Sequence, residues 1–189
     1  MNPVLERPVR IGEKWSDIRA PDCPLVIETR PLPFGKTVLS SLLACSVFEL
    51  RIEGSPPALP AQMAGLPLPL IRDATGLAAR FARFMKVDTV RLRLERIDRN
   101  ACRKIHSDYT DVRLICTYAG PGTDYVADSG NEAIERMEAG WVGLFKGRSY
   151  SAGHAPALHR SPPVEGTGEK RLLLVIDTPL SPAMRALAG

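Results

Sequence analysis

The spacing of apolar residues changes along the chain from a helical period to a strand period. In residues 36–50, apolar side chains recur every three or four positions, which predicts an amphipathic helix. Residues 73–87, DATGLAARFARFMKV, predict a second amphipathic helix with Asp73 as its N-cap. The apolar positions of the first helix are Val38, Leu42, Leu43, Val47 and Leu50.

Beyond the second helix, the pattern alternates with a period of two. In TVRLRLERI, residues 89–97, apolar residues share one face and charged residues the other, as in a strand with one buried face. A short strand is also predicted within residues 23–33, and NEAIERMEAG, residues 131–140, is interpreted as one helical turn. The remaining strand candidates are residues 101–108, 111–120, 123–128, 141–147 and 171–178.

The order of these elements indicates the fold class. Helices that come first and strands that come second favour an α+β fold in which the strands form a sandwich or barrel. A length of 189 residues suits one domain. We therefore predict a single domain over residues 1–189, with a helical and loop-rich part over 1–87, a strand core over 88–178 and a tail over 179–189.

Charge and composition narrow the possible partners. The net charge is +4 and the pI about 9.0, but no run of five basic residues occurs and aromatic residues make up 6%. We expect no nucleic-acid partner, since such a surface needs a basic stripe or stacking rings. An anionic small substrate fits the charge. No apolar stretch approaches the ~18 residues that span a bilayer, so no membrane partner is expected. The absence of an apolar signal region and of a CxxC pair predicts a cytoplasmic protein with reduced thiols.

Two histidines and one aspartate form the pattern with candidate chemistry. His106 and Asp108 are two residues apart, so on a strand both side chains point to one face. His159 follows further along the chain, in ALHRSPP. A 2-His-1-carboxylate triad with open positions is typical of non-haem Fe(II) oxygenases. We predict one divalent metal ion on these three residues. The alternative is that both histidines form ordinary hydrogen bonds and that Asp108 caps a turn.

An arginine at the start of the last predicted strand suggests how a cosubstrate is held. The guanidinium of Arg171 could grip a carboxylate with two parallel hydrogen bonds, as cosubstrates are anchored in 2-oxo-acid-dependent oxygenases. The alternative is an ion pair with Asp177, Glu169 or another acid. Thr117 and Tyr118 are predicted to bind the cofactor beside it. Further candidates for the pocket are Tyr109, Arg113 and Tyr125.

The motifs around these residues resemble known families. The motifs are HxD, a distal His and an Arg at the start of a terminal apolar strand. This combination resembles the double-stranded β-helix, or jelly-roll, core of the Fe(II)/2-oxoglutarate oxygenases and the cupins. CRKIHSDYTDVRLICTYAGPGTDYV, with FKG, LHRSPP and RLLLVID, resembles a bacterial family of uncharacterised proteins, domain of unknown function 1826. The uncharacterised family implies no established activity. The oxygenase and cupin resemblance implies such a core with the N-terminal helices packed outside, Fe(II) or alternatively zinc on the triad, and 2-oxoglutarate on Arg171. The better-known oxygenases carry Ser or Thr two residues after their Arg, where this chain has Leu173.

Other interpretations stay open. A cupin-like protein could bind metal without oxygenase activity and act in metal handling or ligand sensing. Cys102 would lie on the same strand face as His106 and would favour zinc. His154 is the substitute ligand if His159 is not one. A third possibility is a scaffold that has lost its metal. The residues define no particular substrate, small molecule or protein, and a homodimer is one expected assembly.

Overall fold

A seven-stranded sheet lies at the centre of the computed structural model, which describes residues 10–100, 102–128 and 133–180. Its strands and those of a smaller sheet are numbered in chain order. The strands of the described residues are β1 (Ile11–Gly12), β2 (Leu25–Glu28), β3 (Glu49–Gly54), β4 (Val90–Ile97), β5 (Val112–Ala119), β6 (Asp124–Asp128), β7 (Ala133–Arg136), β8 (Val142–Lys146), β9 (His159–Arg160) and β10 (Arg171–Asp177).

The two sheets face each other. The large sheet has the order β1-β2-β8-β5-β10-β4-β3, and its neighbouring strands are antiparallel except for β1 and β2. The small sheet has the order β7-β6-β9 and is antiparallel. Tyr125 of the small sheet shares a buried apolar cluster with Ile115, Phe145 and Val175 of the large sheet. Burial of these side chains from water holds the two layers together.

Helices cover the opposite face of the large sheet. They are α1 (Ser40–Ala44), α2 (Leu59–Gln62) and α3 (Leu68–Met85), with single 3-10 turns over Trp15–Arg19, Lys36–Leu39 and Pro56–Ala58. The stripe that α3 buries is Leu70, Ala74, Leu77, Ala78, Phe81 and Ala82. Every residue of β10 is buried, because this strand lies inside the sheet and both of its faces are covered.

The predicted α+β class is confirmed, since the molecule is mostly sheet with few helices. The period-two interpretation of residues 89–97 is correct, because β4 alternates buried and half-buried residues over most of its length. Within the described residues, no helix is long and apolar enough to cross a membrane.

The helix predicted over residues 36–50 is wrong in its second half. The helical stretch ends at Ala44, and an edge strand, β3, begins at Glu49. Leu50 and Ile52 alternate with charged residues as strand residues do, but Leu50 also fits a helical spacing, so the two periods overlap there. Val47, placed on the apolar helix face, is 82% exposed.

Three further elements differ from the predictions. Residues 133–136 form a strand rather than part of a helical turn, while residues 131 and 132 lie outside the described part. Residues 102–108 form no regular strand, and residue 101 lies outside the described part. The second helix begins at Leu68 instead of Asp73, because the prolines of LPLP are tolerated in a first helical turn. Asp73 is therefore a residue of the helix interior and not the N-cap.

Candidate metal centre

Three predicted ligands meet between the two sheets. Each of His106, Asp108 and His159 offers a ligand atom, and these atoms lie within 4.8 Å of one another. Nε2 of His159 is 3.2 Å from Oδ2 of Asp108, and Nε2 of His106 is 3.8 Å from Oδ1. The backbone brings the histidines together, since the N–H of each donates to the carbonyl oxygen of the other at 2.9 Å. This single bridge replaces the regular strand that the sequence predicted.

The HSD segment is held on the sheet by a second set of hydrogen bonds. The backbone N–H of Arg148 donates to the carbonyl oxygen of Asp108 at 2.9 Å, and Nε of Arg148 donates to Oγ of Ser107 at 2.6 Å. Arg148 follows β8, so the loop between β4 and β5 is fixed against a neighbouring strand. These contacts and the backbone bridge to His159 position the three candidate ligand side chains.

The polar atoms of the triad fit a cation. In the described chain, Oδ2 of Asp108 is buried and has no assigned hydrogen bond, although Nε2 of His159 lies 3.2 Å from it. A buried carboxylate oxygen without a partner is costly, and a metal ion would compensate it. Nδ1 of His106 lies 2.9 Å from the carbonyl oxygen of Lys104, which leaves Nε2 for a metal. Two imidazoles and one carboxylate suit Fe(II) and Zn²⁺ alike.

Asp108 is ionised at neutral pH. Burial by itself would raise the pKa of this carboxyl, but the neighbouring His159 and the guanidinium of Arg113 lower the pKa to about 2. The carboxylate is therefore available as a negatively charged ligand.

Arg171 is fully buried and faces neutral oxygens. Its Nε donates to the carbonyl oxygen of Pro121 at 2.7 Å, and its other nitrogens lie near three hydroxyl groups. In the part of the chain that the structure describes, no carboxylate lies within ion-pair distance of it. Burial lowers the pKa of the guanidinium to about 10. The pairing with Asp177 or Glu169 is not observed. The hydroxyl groups belong to Thr117, Thr123 and Ser161.

One cavity of about 100 Å³ joins the triad to Arg171. Its wall also includes Arg113 and Cys102. Cys102 is exposed, and it is not among the residues whose ligand atoms cluster within 4.8 Å. The remaining wall combines apolar and charged residues: Arg93, Glu95, Ile97, Ile115, Thr123, Arg160, Ser161, Leu173 and Val175.

Other predicted site residues lie elsewhere. Tyr118 is on the helix-covered face of the large sheet, where its hydroxyl donates to Asp73 at 2.7 Å, so it does not line the cavity. Successive strand residues point to opposite faces, which puts Thr117 beside Arg171 and Tyr118 behind the sheet. Tyr109 is 72% exposed. His154 contacts Nζ of Lys146 at 3.0 Å and lies outside the triad.

Sequence reasoning placed Thr117 beside Arg171 but missed the other two hydroxyl groups around the guanidinium, those of Ser161 and Thr123. Ser161 lies two residues after His159, so the same alternation that places a ligand also places this hydroxyl. Thr123 belongs to GPGT, which reads as a turn. The better-known oxygenases carry a hydroxyl two residues after their Arg, whereas in this chain hydroxyl groups of neighbouring segments lie beside Arg171.

Solved structures share this architecture. A candidate oxygenase from Shewanella oneidensis matches with a TM-score of 0.54 at 11% identity, over 93% of this chain and 92% of that one. Rice dioxygenase for auxin oxidation matches with a TM-score of 0.50 at 8% identity, over 85% and 74%. A full-length Neurospora crassa protein in complex with alpha-KG, which is 2-oxoglutarate, matches with a TM-score of 0.50 at 11% identity, over 82% and 73%. At these identities the likeness shows a common fold.

The sequence itself identifies the family. The chain belongs to the family described as "Protein of unknown function (DUF1826)", whose model matches residues 13–177. The predicted family membership is thereby confirmed. No curated protein matches the chain.

Proposed function

We propose that the protein is a non-haem Fe(II)-dependent oxygenase with a 2-oxo acid as cosubstrate, and that its two facing sheets are a double-stranded β-helix. One observation carries the proposal: the His106, Asp108 and His159 cluster lines the same cavity as the buried Arg171, which has no carboxylate within ion-pair distance in the described chain. This combination provides a metal-binding end and a carboxylate-binding end in one cavity. The oxygenases that share the fold support the same reading.

Each residue then has a defined task. His106, Asp108 and His159 would hold Fe(II), which when bound supplies the chemistry of dioxygen activation. Arg171 binds the distal carboxylate of the cosubstrate, and the hydroxyl groups of Ser161 and Thr123 hold the guanidinium in place.

Apolar residues of the cavity keep water away from the reacting groups. Ile115, Leu173 and Val175 are buried and line the cavity between the triad and the sheet. In a dry environment, the interaction between Arg171 and a carboxylate is stronger than in water.

We further propose a cytoplasmic protein that acts on a small molecule or a protein, without nucleic-acid or membrane partners. The homodimer stays a prediction.

A second candidate is a zinc-binding protein of the same fold without oxygenase activity. The observation that favours it is the position of Cys102 in the wall of the cavity, since thiolates favour zinc. An open coordination position would permit hydrolysis, whereas a fourth protein ligand would make the site structural.

Metal analysis coupled to a turnover assay separates the two. The protein is purified anaerobically without added metal, and its iron and zinc contents are measured. It is then loaded with Fe(II), and oxygen-dependent conversion of 2-oxoglutarate to succinate is followed with His159→Ala as the inactive control. We expect succinate from the wild type alone. Tightly bound zinc without succinate formation would favour the second candidate instead.

A further inference from the structure

A cross-strand ion pair lies directly behind the metal ligand Asp108. Arg113 of β5 and Asp177 of β10 are opposite each other in the sheet. Nε of Arg113 lies 2.8 Å from Oδ1 of Asp177, and Nη2 lies 2.9 Å from Oδ2. Two parallel hydrogen bonds fix the plane of the guanidinium as well as its position. Both strands lie in the interior of the large sheet, so this pair is a rigid support.

The third nitrogen of Arg113 reaches the metal ligand. Nη1 lies 2.7 Å from Oδ1 of Asp108, so this oxygen is already bound. The other oxygen, Oδ2, is buried, has no assigned hydrogen bond among the residues that the structure describes, and lies on the side of His159. The two oxygens of one carboxylate therefore have different surroundings.

We propose that Arg113, held by Asp177, is a positioning residue that orients Asp108 so that a metal ion receives Oδ2 alone. The inference rests on the proposed metal site. It adds the number of oxygens that the Asp108 carboxylate contributes to the metal ion. Because Oδ1 is taken by Arg113, the carboxylate binds as a one-oxygen ligand. A coordination position that a chelating carboxylate would fill then stays open for the cosubstrate or substrate.

Other arginines of the cavity wall do not have this arrangement. Arg93 pairs with Glu95 at 3.2 Å, and Arg160 pairs with Asp124 at 3.0 Å. Neither contact includes a residue of the triad. Arg93 is 30% exposed at its side chain and Arg113 is 22% exposed, so Arg93 provides a matched control in the same cavity.

Cobalt binding tests the inference on the full chain. Co²⁺ is titrated into the metal-free wild type and into the variants Arg113→Lys, Arg113→Gln and Arg93→Gln, and the visible absorption of bound Co²⁺ is recorded. Lysine keeps the charge but loses the planar fork that contacts both aspartates. Removing a positive charge would by itself strengthen cation binding, whereas loss of positioning weakens it.

We expect both Arg113 variants to bind Co²⁺ about 10- to 100-fold more weakly, as loss of a residue that orients a ligand typically does. Their absorption should weaken and shift, because a carboxylate free to chelate raises the coordination number. Arg93→Gln should match or slightly exceed the wild-type affinity. Thermal melting checks the fold of each variant. If Arg113→Gln does not fold, Arg113→Lys alone provides the test.

The possible results are distinct. If Arg113→Lys keeps the wild-type affinity and spectrum while His159→Ala loses Co²⁺, the metal site stands and the positioning role is wrong. If Arg93→Gln weakens binding as much as the Arg113 variants do, the effect is one of general charge and the inference is again wrong. If the wild type binds no Co²⁺, or if His159→Ala binds it equally well, the proposed metal site fails and the inference fails with it.

Discussion

A buried guanidinium is costly unless a counter-charge accompanies it, because the ion loses its hydration. Arg171 is fully buried, and its partners in the described chain are a carbonyl oxygen and hydroxyl groups. Burial lowers the pKa of Arg171 to about 10, so it remains charged at neutral pH. The nearest carboxylates, Asp124 and Glu95, attract Arg171 without direct contact and already pair with other arginines. A carboxylate ligand in the cavity would supply the direct ion-pair partner of Arg171.

We predict that substitution of Arg171 removes the stabilisation of the folded protein by 2-oxoglutarate. With Fe(II) under nitrogen, 2-oxoglutarate at 100 times its Kd should stabilise the wild type by about 2.7 kcal/mol, which corresponds to roughly 5–10 °C in Tm. Arg171→Met, which keeps the length but not the charge, should show no such shift. Arg160→Met is the control, since Arg160 lines the same cavity but already pairs with Asp124. An equal shift in Arg171→Met would contradict the assigned role of Arg171.

Among the elements, α3 is tied to the sheet by a polar cluster as well as by its apolar stripe. Both oxygens of Asp73 accept hydrogen bonds from Arg30, at 2.6 and 2.8 Å, and the hydroxyl of Tyr118 donates to Oδ2 at 2.7 Å. Arg30 also donates to the carbonyl oxygen of Gly140 at 2.8 Å. The cluster connects the helix, a segment after β2 and the loop before β8, on the side of the sheet away from the metal triad.

A single substitution distinguishes this interior role of Asp73 from an N-cap role. Asparagine caps helices as well as aspartate does, so Asp73→Asn would be nearly neutral at an N-cap. In the observed cluster, it leaves Arg30 without its counter-charge and should cost about 2 kcal/mol, which is roughly 4–8 °C in Tm. The control is Asp88→Asn, at an exposed position, which should leave Tm almost unchanged. Equal melting temperatures for the two variants would contradict the interior role.

Elements with one clear period could be predicted from the sequence, and elements with two overlapping periods could not. The strict alternation of β4 identified it, whereas Leu50 fits a strand and a helix equally well. Residues 133–136 expose three side chains, the apolar Ile134 and the charged Glu135 and Arg136, so no alternation of buried apolar residues marked this strand of the small sheet. Pairing with the preceding strand, β6, determines their conformation, and the pattern within residues 133–136 does not contain that information.

The same distinction applies to the metal centre. His106 and Asp108 were selected by their spacing on a supposed strand, yet the chain there is irregular and they meet through a backbone bridge to His159. The residue types were sufficient to select the three side chains that lie together. The ion pair of Arg113 and Asp177, which holds Arg113 against Asp108, could not be predicted from the sequence. It depends on the register between β5 and β10.

For the whole molecule, the large sheet joins the N-terminal and C-terminal parts of the chain. Cys23 and Phe81, from the part predicted to be helical, share one buried cluster with Cys116 and Leu174 from the strand core. Such a contiguous core favours unfolding as one cooperative unit. The prediction of a single domain means that the chain unfolds in this way.

Thiol labelling measures this cooperativity directly. Cys45 and Cys102 are exposed, while Cys23 and Cys116 are buried. Burial raises the pKa of Cys23 and raises that of Cys116 to about 12, so neither is nucleophilic in the folded protein. Iodoacetamide should therefore modify two thiols of the native chain. In the variant Cys45→Ser/Cys102→Ser, Cys23 and Cys116 should become labelled at the same urea concentration, as read by peptide mass spectrometry. Labelling of Cys23 at clearly lower urea would mean that the N-terminal part unfolds separately and that two units exist.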